Sequence, residues 1–459
     1  MTAAQINLGA GGSLTKIGSG MLAVNNDAGF STGTWNVNAG SLNTVGYFNG
    51  ANVNVAGGTL NLNRVGGSHL GLSSTQTTTL SSGAISNTGD LYLGFSPGGN
   101  GTLNQSGGTL AVSGFFQLGG NGGVGTWNIS GGTQNITGTL AVNANSTINI
   151  NNGGTLTKAP TFVGGGLVSL NSGGALTLAD SLTIGAGGTL KFNGGTASIG
   201  GGTNYLFNSG TVDVNGQTVA AGSYEAAQMA STGSKLANSS SNAATIIGTG
   251  NKNTVWIAAA GAVIETVGDL TINSVVTDGG TANGFTKTGA GKLTLANSGN
   301  TLGDTTDISE GTLMLTGNLG GGALLNIGAN GAIGGRGILT GSLNLDEGAD
   351  FVFDLNGPLM VNEGNVSFGG LSMANIIGLD SSVDFGTYKL IDGTATFDFA
   401  NVSNWGAANQ VDLGGGKFAY FSEGSLQVEV VPEPSTYALL AVAAAGLGAH
   451  VVRRRRRNS

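Results

Sequence analysis

Short runs of alternating apolar and polar residues, each closed by glycine, set the pattern of this chain. Gly57-Gly58-Thr59-Leu60-Asn61-Leu62 is representative, and Gly153-Gly154-Thr155-Leu156 and Gly187-Gly188-Thr189-Leu190-Lys191-Phe192 repeat it. Alternate residues of a strand face opposite sides. The spacing therefore predicts Leu60 and Leu62 inward, with Thr59, Asn61 and Asn63 outward. Glycine after each run permits the positive φ that a tight corner requires. Whole units also recur: Gly101–Thr109 returns as Gly125–Thr133, 24 residues on (125 − 101). Leu91-Tyr92-Leu93-Gly94 leads into the first copy and Phe116-Gln117-Leu118-Gly119 into the second, and Gly33–Ser41 is a looser relative. Evenly spaced short strands fit either an antiparallel sandwich or barrel, or a parallel β-helix. Recurrence of entire strand-turn-strand units favours stacked coils, in which like residues lie ~4.8 Å apart. At about 22 residues per coil, roughly 20 coils are expected.

The pattern divides the chain. Residues 1–218 read as β-solenoid repeats. Val219–Asn253 reads as an irregular linker, with a short helix at Ala226–Ala230 and a Ser/Asn-rich loop at Ser239–Asn242. Residues 254–345 resume the solenoid. Residues 346–430 carry longer, more aromatic strands such as Phe351-Val352-Phe353-Asp354-Leu355, and read as an acidic β cap or small sandwich over the open end. Residues 431–459 form a tail of different character.

Composition sharpens this all-β reading. Glycine numbers 88 of 459, charged residues are 9% and hydrophobic residues 39%. A disordered chain is more charged and less apolar. Five prolines exclude collagen, and the absence of cysteine excludes disulfides and thiolate metal sites. Residues 1–250 carry Lys16, Arg64, Lys158, Lys191 and Lys235 against Asp27, Asp90, Asp180, Asp213 and Glu225. Acidic residues then dominate until five arginines appear among the last seven positions. The body has no basic patch, so nucleic acid is excluded as a partner.

Candidate chemistry is sparse. Asp346, Glu347, Asp350 and Asp354 are dense enough to suggest a Ca²⁺ site, which needs several oxygen ligands. The alternative is a solvated edge charged against strand pairing. His69 stands alone between Ser68 and Leu70, and His450 lies in the apolar tail. Gly119–Gly125 lacks the Gly-Lys-Ser/Thr of a phosphate loop and reads as turns. Trp35, Trp127, Trp256 and Trp405 could stack on sugars. Trp35 and Trp127 occupy equivalent repeat positions, which favours a structural role, so exposure of Trp256 and Trp405 is the discriminating observation. No carboxylate pair is available in residues 1–250 for glycoside chemistry. No catalytic residue and no cofactor is assigned.

One eleven-residue motif occurs twice. Leu14-Thr15-Lys16-Ile17-Gly18-Ser19-Gly20-Met21-Leu22-Ala23-Val24 matches Phe285-Thr286-Lys287-Thr288-Gly289-Ala290-Gly291-Lys292-Leu293-Thr294-Leu295. A second strand follows each, at Thr34–Leu42 and Thr305–Leu315. This resembles the autotransporter-associated β-strand repeat of bacterial passenger domains. The resemblance implies a right-handed parallel β-helix at the cell surface, without catalysis. It covers about 30 residues per copy, and the chain lacks the amphipathic strands of a membrane barrel.

The tail presents Val431-Pro432-Glu433-Pro434-Ser435-Thr436, then an apolar run Tyr437–Val452, then Arg453, Arg454, Arg455, Arg456 and Arg457. Proline lacks an N–H and ends the last strand, and Ser435 or Thr436 can cap a following helix. Sixteen residues of helix span ~24 Å, short of a ~30 Å hydrocarbon core. Snorkelling arginines close the gap and hold that end in the cytoplasm. The three-part order resembles the PEP-CTERM sorting signal of Gram-negative bacteria. That resemblance implies processing near Pro432-Glu433-Pro434 by an exosortase, a membrane transpeptidase-like enzyme. An exported chain is expected to open with a basic and apolar leader. Met1–Leu8 enters a strand-like pattern directly, so the start reads as misassigned or the chain as a fragment. The combined expectation is an exported precursor, anchored in the inner membrane by one helix, then released to the envelope, surface or extracellular matrix. Its role is structural or adhesive, with extracellular polysaccharide as a candidate partner. The alternatives are a glycan-binding adhesin and a carbohydrate-active β-helix enzyme.

Overall fold

The computed structural model describes residues 1–433 except 4, 5, 7, 10, 26–31, 47, 201–205, 223, 224, 249–252, 323 and 423–425. The chain divides into two compact units, Met1–Leu293 and Thr294–Ser459. Both are all-β, and the described residues contain two 3-10 turns, Met373–Asn375 and Ala407–Asn409, as their helical elements. The fold is a parallel β-solenoid of about 16 turns in all. That is fewer than the roughly 20 coils that a uniform 22-residue repeat implies, because many turns are longer than 22 residues and the last strands leave the stack for a separate sheet. Thr34 lies opposite Asn52, 18 residues on (52 − 34). Lys235 lies opposite Val263, 28 residues on (263 − 235). The corners absorb the surplus.

In the first unit a typical coil has three strands, such as Asn100–Gln105, Thr109–Val112 and Phe116–Leu118. Each pairs in parallel with its counterpart one coil on, at Val124–Ile129, Thr133–Ile136 and Leu140–Asn143. The same positions therefore form columns. One inward column runs Val53, Thr78, Leu103, Trp127, Ile148, Val168, Leu190, Val212, Leu236 and Ile264. All its members are buried. Fully burying an aliphatic side chain contributes about 1.5–3 kcal/mol, so repetition alone supplies a continuous core. Leu60 and Leu62 face inward as the alternation requires, and Thr59, Asn61 and Asn63 face out.

The outward face is held by amides. Asn128 donates to Asn104 Oδ1 at 2.8 Å and Asn149 donates to Asn128 Oδ1 at 2.8 Å. A second ladder links Asn171 to Asn151 at 2.8 Å, Asn193 to Asn171 at 3.2 Å and Asn215 to Asn193 at 2.5 Å. A stacked amide can donate to one neighbour and accept from the other, which explains the surplus of Asn at these positions.

The helix expected at Ala226–Ala230 is absent. Glu225–Met229 is a strand, paired in parallel with Leu206–Asn208 and Thr254–Ile257. Its alanines favour helix in isolation, but the ladder on both sides captures the backbone, and tertiary pairing outweighs weak local propensity.

The second unit stacks Thr306–Leu315, Leu324–Gly335, Ser342–Leu345 and Asn365–Phe368 in parallel. Its register lengthens along the chain, from 18 residues (Leu324 to Ser342, 342 − 324) to 31 (Asn365 to Thr396, 396 − 365). Pairing then changes from parallel to antiparallel. Gly386–Lys389, Gln427–Pro432, Lys417–Ser422 and Val411–Gly414 form a four-stranded antiparallel sheet in that order. Leu359, in the last parallel coils, donates its N–H to Leu390, which donates to Leu426 at the start of the final strand. The antiparallel sheet is thereby joined to the coil beneath it.

Candidate functional site

The sorting segment begins inside this sheet. Gln427–Pro432 pairs with Lys417–Ser422, ending at Pro432 opposite Lys417. Glu433 follows, exposed, its N–H bonded to Gly416 O at 3.0 Å. Tyr420 Oη donates to Glu429 at 2.5 Å and pins the last strand. Pro432 has no N–H of its own, and the last bond of this edge is the one from Glu433 to Gly416. Pro434, the apolar run Tyr437–Val452 with His450, and Arg453–Arg457 lie outside the described residues. Among the described residues, no helix is long and apolar enough to cross a membrane.

The acidic cluster disperses. Asp346 accepts from Asn344 at 2.8 Å, Asp350 from Asn375 at 3.3 Å, and Asp354 from Asn356 while pairing with Arg336 at 3.2 Å. Among the described residues no group of three or more acidic, His or Cys side chains gathers to hold a metal. Neighbours in sequence are separated here because Asp346 and Glu347 sit in the corner before the strand Asp350–Val352 and Asp354 in the corner after it.

Trp35 and Trp127 are buried, each meeting a phenylalanine edge-on, Phe48 at 6.0 Å and Phe116 at 5.1 Å. Both are core residues. Trp256 and Trp405 are half-buried. Trp405 leans on Phe399 at 5.0 Å, and the flank of Trp256 is closed by Gly279. His69 stacks on Tyr92 at 4.9 Å and meets Phe95 edge-on at 5.4 Å. Burial, with Arg64 nearby, lowers its pKa to about 4, so it is neutral at physiological pH. Gly119–Gly125 forms a turn, with Gly123 N–H bonded to Gly120 O at 2.7 Å.

Two features were not legible in advance. Lys16 and Lys287 sit at inward positions, 8% and 0% exposed, opposite Val37 and Ile264. Each is the third residue of the twice-occurring motif. Lys16 Nζ donates to the carbonyls of Ile17 (2.9 Å), Gly18 (2.7 Å) and Ala39 (3.1 Å). Lys287 Nζ donates to Thr288 O at 3.3 Å and to Gly289 O. Gly18 and Gly289 have φ of 72° and 78°, which turns their carbonyls toward the ammonium. A buried cation thus finds its compensation in corner carbonyls. The repeat itself was the one available signal, since a lysine inside an alternating strand otherwise reads as outward. The second feature is Glu225, 7% exposed, whose Oε2 has no hydrogen-bond partner. Burial raises its pKa to about 7. A register shift between Glu225 and Ala227 turns it inward, and nothing in the local sequence announces that bulge.

Fold and comparison meet at the C-terminus. The body is a glycine-cornered parallel β-solenoid, an architecture of repeat proteins. Residues 430–457 match the family model described as the PEP-CTERM protein-sorting motif. The chain carries that motif where its antiparallel sheet ends. The signal implies export, sorting by exosortase, and a destination in the cell envelope or at the surface. No curated protein matches the chain.

Proposed function

We propose that this chain is a structural protein of the bacterial envelope or extracellular matrix. Its solenoid body is the functional product and its last residues are an address. Tyr437–Val452 crosses the inner membrane, Arg453–Arg457 holds the cytoplasmic end, and exosortase processes the chain near Pro432-Glu433-Pro434. Residues 346–430 serve as the closing cap, and the protein works without catalysis. The observation that carries this reading is the abrupt junction at Pro432. The last paired strand ends there, three residues into the sorting motif that begins at residue 430. Processing beyond Pro432 therefore leaves the described strands of the body intact. The test is mass spectrometry of the protein recovered from fractionated cells with and without the sorting enzyme. A shortened C-terminus in the envelope or medium is expected in the first case, and membrane-bound full-length chain in the second. Full-length material in the cytosol of both strains overturns the proposal.

A further inference from the structure

Residues 1–250 are nearly free of charge, and the few charges they hold are not scattered. Among the described ones, Lys16 is buried in its corner, Glu225 is buried, Lys191 pairs with Asp213 at 3.2 Å and Lys235 with Glu265 at 2.7 Å. The remaining four are Arg64, Asp90, Lys158 and Asp180. All four line hollows on a single corner of the solenoid. The first hollow, about 420 Å³, is formed by the turns Asn63–Gly67 and Thr88–Asp90. The second, about 270 Å³, is formed by the turns around Thr139, Thr157–Ala159 and Asp180. The two share one edge because the corner stacks coil on coil. Gly114 N–H bonds to Gly89 O at 3.1 Å, and Thr137 Oγ1 to Ser113 O at 2.9 Å. One corner, at Ser113–Phe115, lies between them, and their centres are three to four coil steps apart, roughly 17 Å at ~4.8 Å per coil.

We infer that this corner is a binding track for a hydroxyl-rich polysaccharide strand, each hollow holding one stretch of sugar. The inference rests on the reading that the body works outside the cell. Each hollow combines one cation and one carboxylate with uncharged donors and acceptors. Asn63 and Thr88 complete the first, and Thr139, Thr157 and Thr161 the second. Carboxylate and guanidinium are planar groups that engage two neighbouring hydroxyls at once. They are also pre-set. Asp90 is fixed by the Phe115 N–H at 2.8 Å and by Tyr92 Oη at 3.3 Å, and Arg64 Nη1 donates to Gly67 O at 3.0 Å. Rigid polar groups lose little entropy on binding. Val65, 96% exposed at the rim of the first hollow, offers an apolar face to the C–H side of a sugar ring. A single cation per hollow is too little for a nucleic acid backbone. Mixed charge with many hydroxyl-compatible groups suits a neutral or sparsely charged glycan. The half-buried tryptophans take no part.

The test is affinity electrophoresis of the detergent-solubilised full chain through gels containing hydroxyethyl cellulose, dextran, galactomannan or polygalacturonate. Retardation by at least one polymer is expected. The double variants Arg64→Gln/Asp90→Asn and Lys158→Gln/Asp180→Asn should each weaken it about tenfold, the effect of losing charge-assisted hydrogen bonds. Lys158 and Asp180 lie at the surface, so the second pair leaves the fold intact, checked by an unchanged thermal transition. Lys389→Gln, remote in sequence from the corner, should migrate like the parent. No retardation by any of the four polymers, or double variants retarded like the parent, overturns the inference. Cell fractionation is independent of these gels: an envelope-located protein that ignores all four polymers refutes the track and leaves the structural role standing.

Discussion

The coils around residues 100–150 and the sheet at residues 386–432 are both all-β, yet they manage charge in opposite ways. In the coils each residue lies against its own equivalent, as Thr102 does against Thr126 and Asn104 against Asn128. A charge repeated there would face a like charge ~4.8 Å away. Such columns are accordingly built of Thr, Asn and aliphatic residues. Where two charges do face each other in a column they are of opposite sign, as with Lys191 opposite Asp213. Antiparallel pairing brings together residues that are unrelated in sequence position. The C-terminal sheet therefore accommodates Tyr420 bonded to Glu429 on the facing strand. Parallel repetition restricts composition, whereas antiparallel closure releases it.

The comparison is broken most strongly by attacking a column. Trp127→Ala removes a fully buried side chain between Leu103 and Ile148. It should lower stability by about 3–5 kcal/mol in a denaturant titration, the range for emptying an aromatic core position. Tyr420→Phe in the antiparallel sheet should lose no more than about 1 kcal/mol, the worth of one hydrogen bond. A reversed order would show that the sheet, not the stack, dominates stability.

Lys287→Met tests whether the motif lysine is a structural cation. The substitution keeps the length of the side chain but strands two corner carbonyls, and a loss of about 2–3 kcal/mol is expected. Lys389→Met, with its side chain half-exposed, should shift the melting temperature little. Equal effects would remove the special status of the buried lysine.

The smallest effect is a pH dependence that only the coil predicts. The folded pKa of Glu225 is raised to about 7, above that of the unfolded chain. Its folded form therefore binds more protons between those two values. Its contribution is fully present at acid pH and is lost as pH rises through about 7. Glu225→Gln should flatten the curve of melting temperature against pH between 4.5 and 8, and an unflattened curve would assign that titration elsewhere.

Much of the coil was readable because its signal is local and repeated. Leu60 and Leu62 face inward by alternation alone, and Gly101–Thr109 announces its partner Gly125–Thr133 by near-identity. Glu225–Met229 misled because its alanines favour helix, while the ladders that hold it come from residues 206–208 and 254–257. The sorting segment was legible because a linear signal needs no folding to be recognised.

What the sequence determined by itself is whatever repeats or stays contiguous: the alternation, the glycine corners, the near-neutral columns and the address at residues 430–457. The tertiary structure alone decided which polar groups meet. Arg64 and Asp90 lie 26 positions apart (90 − 64), and Lys158 and Asp180 lie 22 apart (180 − 158). Each pair shares a hollow because one turn of the coil happens to close at that length. Lys16 and Lys287 likewise become buried cations because the corner carbonyls fold back over them. The physical reason is one of range: alternation is a property of neighbouring residues, whereas compensation of a buried or gathered charge depends on the path of the whole coil.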